Sequence, residues 1–142
     1  MIKEICRINT LNKRKSIIIL MVLLFITFIT LYIYRPYIYS NNIFDYSLAN
    51  SLPSLLNTLI IYKVIYCLNK SIEKNNVDKI LLMFAVPIGC ILSELIQKTL
   101  YLGTYDFNDI IFIILSIPVI FLLEKFNWLL LWIIFKLIGN KF

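Results

Sequence analysis

Long apolar runs separated by short polar stretches set the organisation of this chain. A transmembrane helix needs about 20 mainly apolar residues. Four runs approach or reach that length, and they predict spans at about Ser16–Tyr34, Leu52–Leu68, Lys79–Gln97 and Asp106–Lys125. The pattern therefore predicts an all-α membrane protein, a four-helix transmembrane bundle that forms a single domain over residues 1–142.

Local signals indicate where the first span ends and where the second span begins. The segment Arg35–Tyr37, "RPY", is expected to close the first helix, because proline disfavours helix in the residue before it. Asn50 or Ser51 is expected to cap the second helix, with Pro53 in its first turn, where the missing N–H has no helical partner to lose.

The segment after the fourth span predicts a further, shorter helix. Its apolar part, Trp128–Ile138, is too short to cross a bilayer again. We therefore predict a break near Glu124–Asn127, followed by a short C-terminal interfacial helix over about residues 127–138. Trp128 and Trp132 lie one turn apart, as anchors at a membrane interface do. A re-entrant helix is the alternative.

Basic residues predict the orientation of the bundle. Of the 14 lysines and arginines, eleven flank the spans on one side. They are Lys3, Arg7, Lys13, Arg14, Lys15, Lys70, Lys74, Lys79, Lys125, Lys136 and Lys141. By the positive-inside rule, the N and C termini are both cytoplasmic. Lys63 falls within the second span, and we expect it to snorkel towards the cytoplasmic face.

Composition supports the membrane class and excludes several functions. The chain is 61% hydrophobic and 15% charged, whereas a soluble domain is about half apolar and about a quarter charged. The net charge of +6 comes from lysines beside apolar runs, so we predict no nucleic-acid partner. There is no histidine, which excludes histidine acid–base catalysis and histidine metal ligands.

Acidic residues are concentrated in one window, which covers the end of the third span and the start of the fourth. Three of the 8 acids, Glu94, Asp106 and Asp109, lie there together with Gln97. Glu94 and Gln97 are three residues apart and share a helix face. Ionisable residues within spans usually face the bundle or a wet cavity. We predict that these four residues, with Asn57 from the second span, form a functional cluster on the outer face.

Four of the five members of this cluster also have a structural interpretation. Asp106 and Asp109 can cap the fourth helix, Gln97 can join helices, and Glu94 can pair with Lys98. Three carboxylates can hold a divalent cation, but no further motif supports this. We predict no catalytic residue, no metal and no cofactor.

The motifs "SLPSLLNT", "ELIQ" and "GTYDFND" occur in an order that resembles the VanZ-like family of small bacterial membrane proteins. Glu94 and Gln97 match the Glu-x-x-Gln of that family. The Gly-Thr-aromatic-Asp-x-x-Asp motif is matched by Gly103, Thr104, Tyr105, Asp106 and Asp109, and the proline start more loosely by Ser51 and Pro53. Many members carry a histidine near the position of Asn57. The matching region covers about Asn50 to Lys125.

The resemblance implies a multi-pass protein of the bacterial cytoplasmic (inner) membrane. The family takes its name from an accessory protein linked to resistance to the glycopeptide teicoplanin. We predict a non-catalytic envelope protein whose outer cluster binds a polar lipid, glycan, glycopeptide or partner group. The partners expected are membrane lipids and either a lipid-linked envelope precursor or a membrane protein. A membrane enzyme acting on a lipid-linked substrate and a small oligomeric transporter are the alternatives.

Overall fold

The structure, a computed structural model, is helical over almost all of its described part, and no strand occurs there. That part comprises residues 2–69, 76–100 and 106–139, with side chains described for 16–69, 76–97, 99–100 and 106–125. Four helices in it are long and apolar enough to cross a membrane: Ser16–Ser40, Leu48–Leu68, Asn76–Gln97 and Phe107–Lys125. The predicted all-α architecture with four candidate spans is confirmed.

The first helix continues past the position where the sequence predicts its end. Helix α1, Ile2–Ile29, leads into a π-helical turn, Thr30–Tyr34, and then into α2, Arg35–Ser40. A proline ring inside an α-helix clashes with the carbonyl four residues earlier. Here the Arg35 N–H donates to the carbonyl of Thr30, five residues earlier, so the wider turn makes room for Pro36. The predicted end at Tyr34 is therefore wrong.

The second span also begins earlier than predicted. Helix α3 runs over Leu48–Leu68, and Pro53 lies inside it beyond the first turn. The cap comes from the preceding turn: Asp45 Oδ2 accepts a 2.7 Å hydrogen bond from the Ala49 N–H. The same oxygen accepts a 3.2 Å bond from the Tyr34 hydroxyl. The side chain that satisfies a free N–H at this helix start is therefore that of Asp45, and the predicted cap by Asn50 or Ser51 is wrong.

The last two helices are longer than the spans they contain. Helix α4 covers Asn76–Leu100 and α5 covers Phe107–Gly139. The predicted break near Glu124–Asn127 is wrong, because α5 is one uninterrupted helix there. At 1.5 Å per residue, its 33 residues extend for roughly 50 Å, and a bilayer hydrocarbon core is about 30 Å thick. Residues 126–139 therefore continue the helix of the fourth span, and the separate interfacial helix predicted over residues 127–138 is not formed.

Helix α3 lies at the centre of the bundle and packs against α1, α4 and α5. Its span is 33% buried, compared with 11% to 17% for the other three. The core is formed by side chains from all four spans: Leu23, Leu56, Leu59, Tyr62, Leu82, Met83, Val86 and Ile120.

The outer surface of the bundle is apolar. Large hydrophobic side chains such as Phe25, Leu81 and Phe121 are at least 60% exposed. Soluble proteins rarely expose such extended apolar surface, and lipid is the environment in which it is stable. Composition, helix length and surface together define a multi-pass membrane protein.

Candidate functional site

A cavity of about 330 Å³ lies between the four spans. It lies in the half of the bundle that ends at Ser40, Leu48, Gln97 and Phe107, which we call the cavity end. Its lining comes from α1, the π-helical turn, α3, α4 and α5: Thr27, Leu31, Pro53, Ser54, Asn57, Thr58, Ile61, Cys90, Ser93, Glu94 and Ile113.

Two residues of the predicted cluster meet in this cavity. Asn57 extends from α3 and Glu94 from α4, and both line it. Glu94 is half-buried, which is the position expected of a carboxylate that faces a wet cavity within a span. Helix packing therefore brings together two polar side chains that are far apart in the sequence.

Asp109 lies beside the cavity without lining it. Its carboxyl group acts electrostatically on that of Glu94, and Ile113, one turn further along α5, is a lining residue. The Oδ1 atom of Asp109 is buried and has no hydrogen-bond partner among the described residues. Asp109 thus adds negative charge, and an unused acceptor, close to Glu94.

Asp106 has the capping role that the sequence allows. Its Oδ1 accepts a 2.9 Å hydrogen bond from the Asn108 N–H, and its carbonyl accepts a 3.1 Å bond from the Asp109 N–H. Asp106 is therefore the N-cap of α5. The capping interpretation is confirmed for this residue, and Asp106 does not line the cavity.

The remaining predicted residues are dispersed. Gln97 is exposed and outside the lining. Ser51 is fully buried in α3, and its hydroxyl has no partner among the described residues, whereas Pro53 lines the cavity. Gly103, Thr104 and Tyr105 lie outside the described residues, as does the proposed pairing of Glu94 with the Lys98 side chain.

Sequence reasoning missed the hydroxyl groups of the lining. Thr27, Ser54, Thr58 and Ser93 contribute them. A signal for two of them is present in α3, because Ser54, Asn57, Thr58 and Ile61 follow the i, i+3, i+4, i+7 spacing of a single helix face. Such a polar face within an apolar span indicates a wet surface.

A buried ion pair occupies the other half of the bundle. Lys63 of α3 pairs with Glu124 of α5, with 2.5 Å between Nζ and Oε1, and the Lys63 side chain is 0% exposed. The Lys63 Nζ also lies 5.5 Å and 5.2 Å from the ring centroids of Tyr62 and Tyr66, within cation–π range. The prediction that Lys63 snorkels is wrong, because Glu124 neutralises it inside the protein.

Tyr62 completes this second polar region. Among the described residues it is the largest fully buried side chain, and its hydroxyl lies within electrostatic reach of Glu124 without forming a hydrogen bond there. The arrangement joins α3 to α5 through a charged contact shielded by aromatic rings. In hydrocarbon an isolated charge is costly, so each charge of the pair lowers the free-energy cost of burying the other.

The described residues contain no group of three or more histidine, cysteine, aspartate or glutamate side chains that could hold a metal ion. Fold and site define the class: a multi-pass membrane protein with a small polar cavity between its spans. The chain matches no protein-family model, no curated protein and no solved structure. The resemblance to the VanZ-like family thus depends on the sequence motifs alone.

Proposed function

We propose that this chain is a non-catalytic, VanZ-like envelope protein whose cavity binds a small polar group presented at a bacterial cytoplasmic membrane. The observation that carries the proposal is the meeting of Asn57 and Glu94 in one polar cavity. Buried polar groups normally require hydrogen-bonding partners. A cavity lined by four hydroxyl residues, an amide and a carboxylate offers those contacts to a ligand.

The size of the cavity limits what can enter it. Binding sites for small molecules range from about 300 to 1,000 Å³, and this cavity of about 330 Å³ is at the lower limit. It accommodates a lipid headgroup, one sugar ring or a side chain of a partner protein. A glycopeptide could insert only one substituent.

The orientation of the site is part of the proposal. Lys79 and Lys125 lie at the end of the bundle opposite the cavity end, on the side where eleven of the 14 basic residues are found in the sequence. The positive-inside rule then places the cavity end outside the cytoplasm. A ligand would reach it from the outer leaflet or the envelope.

Co-purification tests the binding function directly. The wild type, Glu94→Gln and Asn57→Ala are extracted in a mild detergent, and the bound lipids and small molecules are identified by mass spectrometry. Thr99→Ala is the matched control, because Thr99 is an exposed residue of the same helix outside the cavity. We expect one polar species to be enriched in the wild type and in the control and to be depleted in both cavity variants.

Identical extracts from all four proteins would refute the binding function. A deletion strain complemented with the same variants tests the envelope role, with glycopeptide and envelope-stress sensitivity as the measurement. If the purified wild type converts a lipid-linked substrate and Glu94→Gln does not, the protein is instead a membrane enzyme. Solute flux through reconstituted oligomers would establish the transporter.

A further inference from the structure

We propose that the group bound in the cavity is a primary ammonium, carried by a lipid headgroup or by a small soluble amine. This inference rests on the proposed binding function and names the chemistry of its ligand. Three properties of the described lining carry it: its acidic side chain, its balance of hydrogen-bond donors and acceptors, and the fact that none of its described residues is aromatic.

The charged side chains at the described part of the cavity are acidic. Glu94 is the only acidic or basic residue among the described lining residues, and Asp109 adds a second carboxyl group within electrostatic reach of it. Two carboxylates at close range repel each other, and a cation between them relieves that repulsion. An anionic group inside the cavity would be repelled, so the phosphate of a lipid headgroup would have to remain outside it.

The lining offers a ligand more acceptors than donors, and its remaining donors are the Asn57 amide and the Ser54 hydroxyl. The hydroxyl groups of Thr27, Thr58 and Ser93 each donate to a backbone carbonyl three or four residues earlier in their own helix, at 2.7 to 2.8 Å. Since each hydroxyl has a single hydrogen, only its oxygen lone pairs remain for a ligand. The buried Oδ1 of Asp109 is a further acceptor without a partner among the described residues.

A primary ammonium is complementary to such a lining. It carries a positive charge and three N–H donors, and it needs no donor in return. A sugar hydroxyl also donates, and its oxygen can accept from the Asn57 amide, but it carries no charge to pair with the Glu94 carboxyl group. Hydrogen bonds between charged groups are stronger than those between neutral groups, so the cavity should prefer the amine.

The non-aromatic side chains of the described lining favour a primary over a quaternary ammonium. Quaternary groups such as choline have no N–H and are recognised by cages of aromatic side chains. No phenylalanine, tyrosine or tryptophan is among the described lining residues. The lining therefore fits ethanolamine better than choline, although the two headgroups carry the same charge.

Thermal unfolding in nanodiscs tests the inference. The wild type and Glu94→Gln are reconstituted into discs with identical acyl chains and one of four headgroups: ethanolamine, choline, glycerol phosphate or a neutral diglucosyl group. We expect ethanolamine lipid to raise the unfolding temperature of the wild type by roughly 5 °C above choline lipid. Glu94→Gln should lose that difference, and Thr99→Ala should keep it.

A second arm distinguishes the two sources of the amine. Ethanolamine itself is added to wild type in choline discs. A shift with the soluble amine comparable to that with the lipid assigns the site to free amines, and a shift with the lipid alone assigns it to a headgroup. Both results support the ammonium, provided that Glu94→Gln abolishes them.

Other outcomes overturn the inference. A Glu94-dependent shift with the diglucosyl lipid and none with ethanolamine would overturn the ammonium while leaving the binding function intact. If Mg²⁺ alone raises the unfolding temperature and Glu94→Gln abolishes that rise, the site binds a metal ion and the ammonium is overturned. Equal unfolding temperatures in all discs would also overturn it, and the co-purification experiment then decides separately whether the cavity binds anything.

Discussion

Removing one charge of the Lys63–Glu124 pair should destabilise the bundle far more than removing both. Lys63→Met leaves Glu124 without its partner, and Glu124→Leu leaves the ammonium of Lys63 buried alone. The double variant Lys63→Met/Glu124→Leu replaces the pair by an apolar contact. The three variants therefore separate the cost of an unpaired buried charge from the contribution of the pair itself.

The magnitude follows from the burial of the two side chains. Breaking a buried pair costs about 3 to 5 kcal/mol. The Lys63 side chain is 0% exposed and that of Glu124 is 20% exposed, so Lys63→Met belongs at the lower limit, about 3 kcal/mol, and Glu124→Leu nearer to about 5 kcal/mol. The double variant should lie within about 1.5 kcal/mol of wild type, because apolar replacements of buried pairs are often neutral or stabilising.

Equilibrium unfolding in mixed micelles measures these differences. The protein is titrated with sodium dodecyl sulfate, and the loss of tertiary packing is followed by tyrosine and tryptophan fluorescence. Lys125→Met is the matched control, because Lys125 is the exposed neighbour of Glu124, and its removal should change stability by less than about 0.5 kcal/mol.

Two results would refute the reasoning. If both single variants unfold like wild type, the pair is not formed in the protein. If the double variant is as unstable as the sum of the single variants, the two charges do not interact, since coupled neighbours deviate from additivity.

Three further predictions concern the cavity end and the orientation. Asp45→Ala should lower the free energy of unfolding by about 1 kcal/mol, because α3 loses its cap. Tyr34→Phe should lower it by less, since Asp45 keeps its bond to the Ala49 N–H. The unfolding titration in sodium dodecyl sulfate measures both variants. Cys90, in a protein whose Cys6 and Cys67 are replaced by serine, should react about tenfold faster with a cationic than with an anionic thiosulfonate, and Glu94→Gln should reduce that ratio, because a carboxylate concentrates cations near the thiol. A reporter enzyme fused to the C terminus should be active in the cytoplasm, as the positive-inside rule requires.

Each of these has a contrary outcome. Equal effects of Asp45→Ala and Tyr34→Phe would mean that the carboxylate does not cap α3. A rate ratio near one in the wild type would show that the cavity does not concentrate cations around Cys90. The argument for a cationic ligand would then fail. Activity of the reporter only outside the cytoplasm would invert the orientation and place the cavity on the cytoplasmic side.

The four spans could be predicted because the thickness of a bilayer imposes a length on apolar runs. Their ends were less accurate, for identifiable reasons. At Pro36 a π-helical turn absorbs the clash that would end an ordinary helix. At α3 the capping carboxylate of Asp45 lies upstream of the residues expected to cap. At Glu124 the sequence contains no helix-breaking residue, and α5 continues.

The candidate site was predictable in part. Glu94 and Asn57 stand out as polar residues in apolar spans, and the structure places them in one cavity. Their hydroxyl neighbours were not predicted, because serine and threonine are common in spans and donate to their own backbone. The pairing of Lys63 with Glu124 was out of reach, because it depends on how α3 and α5 are rotated and shifted against each other.

The Lys63–Glu124 pair also has a consequence for biosynthesis. Its two members are 61 residues apart in the chain, and at about 5 to 20 residues per second the ribosome completes Glu124 roughly 3 to 12 seconds after Lys63. A lysine costs about 2.5 to 3.5 kcal/mol at the centre of an inserting helix and less towards its ends. Lys63 lies between the centre and the Leu68 end of α3, and α3 has the lowest mean hydropathy of the four spans, 1.4. During that interval α3 is the least securely inserted segment of the nascent chain. Arrival of α5 completes its integration, so a chain truncated before Glu124 should be the form that membrane quality control removes.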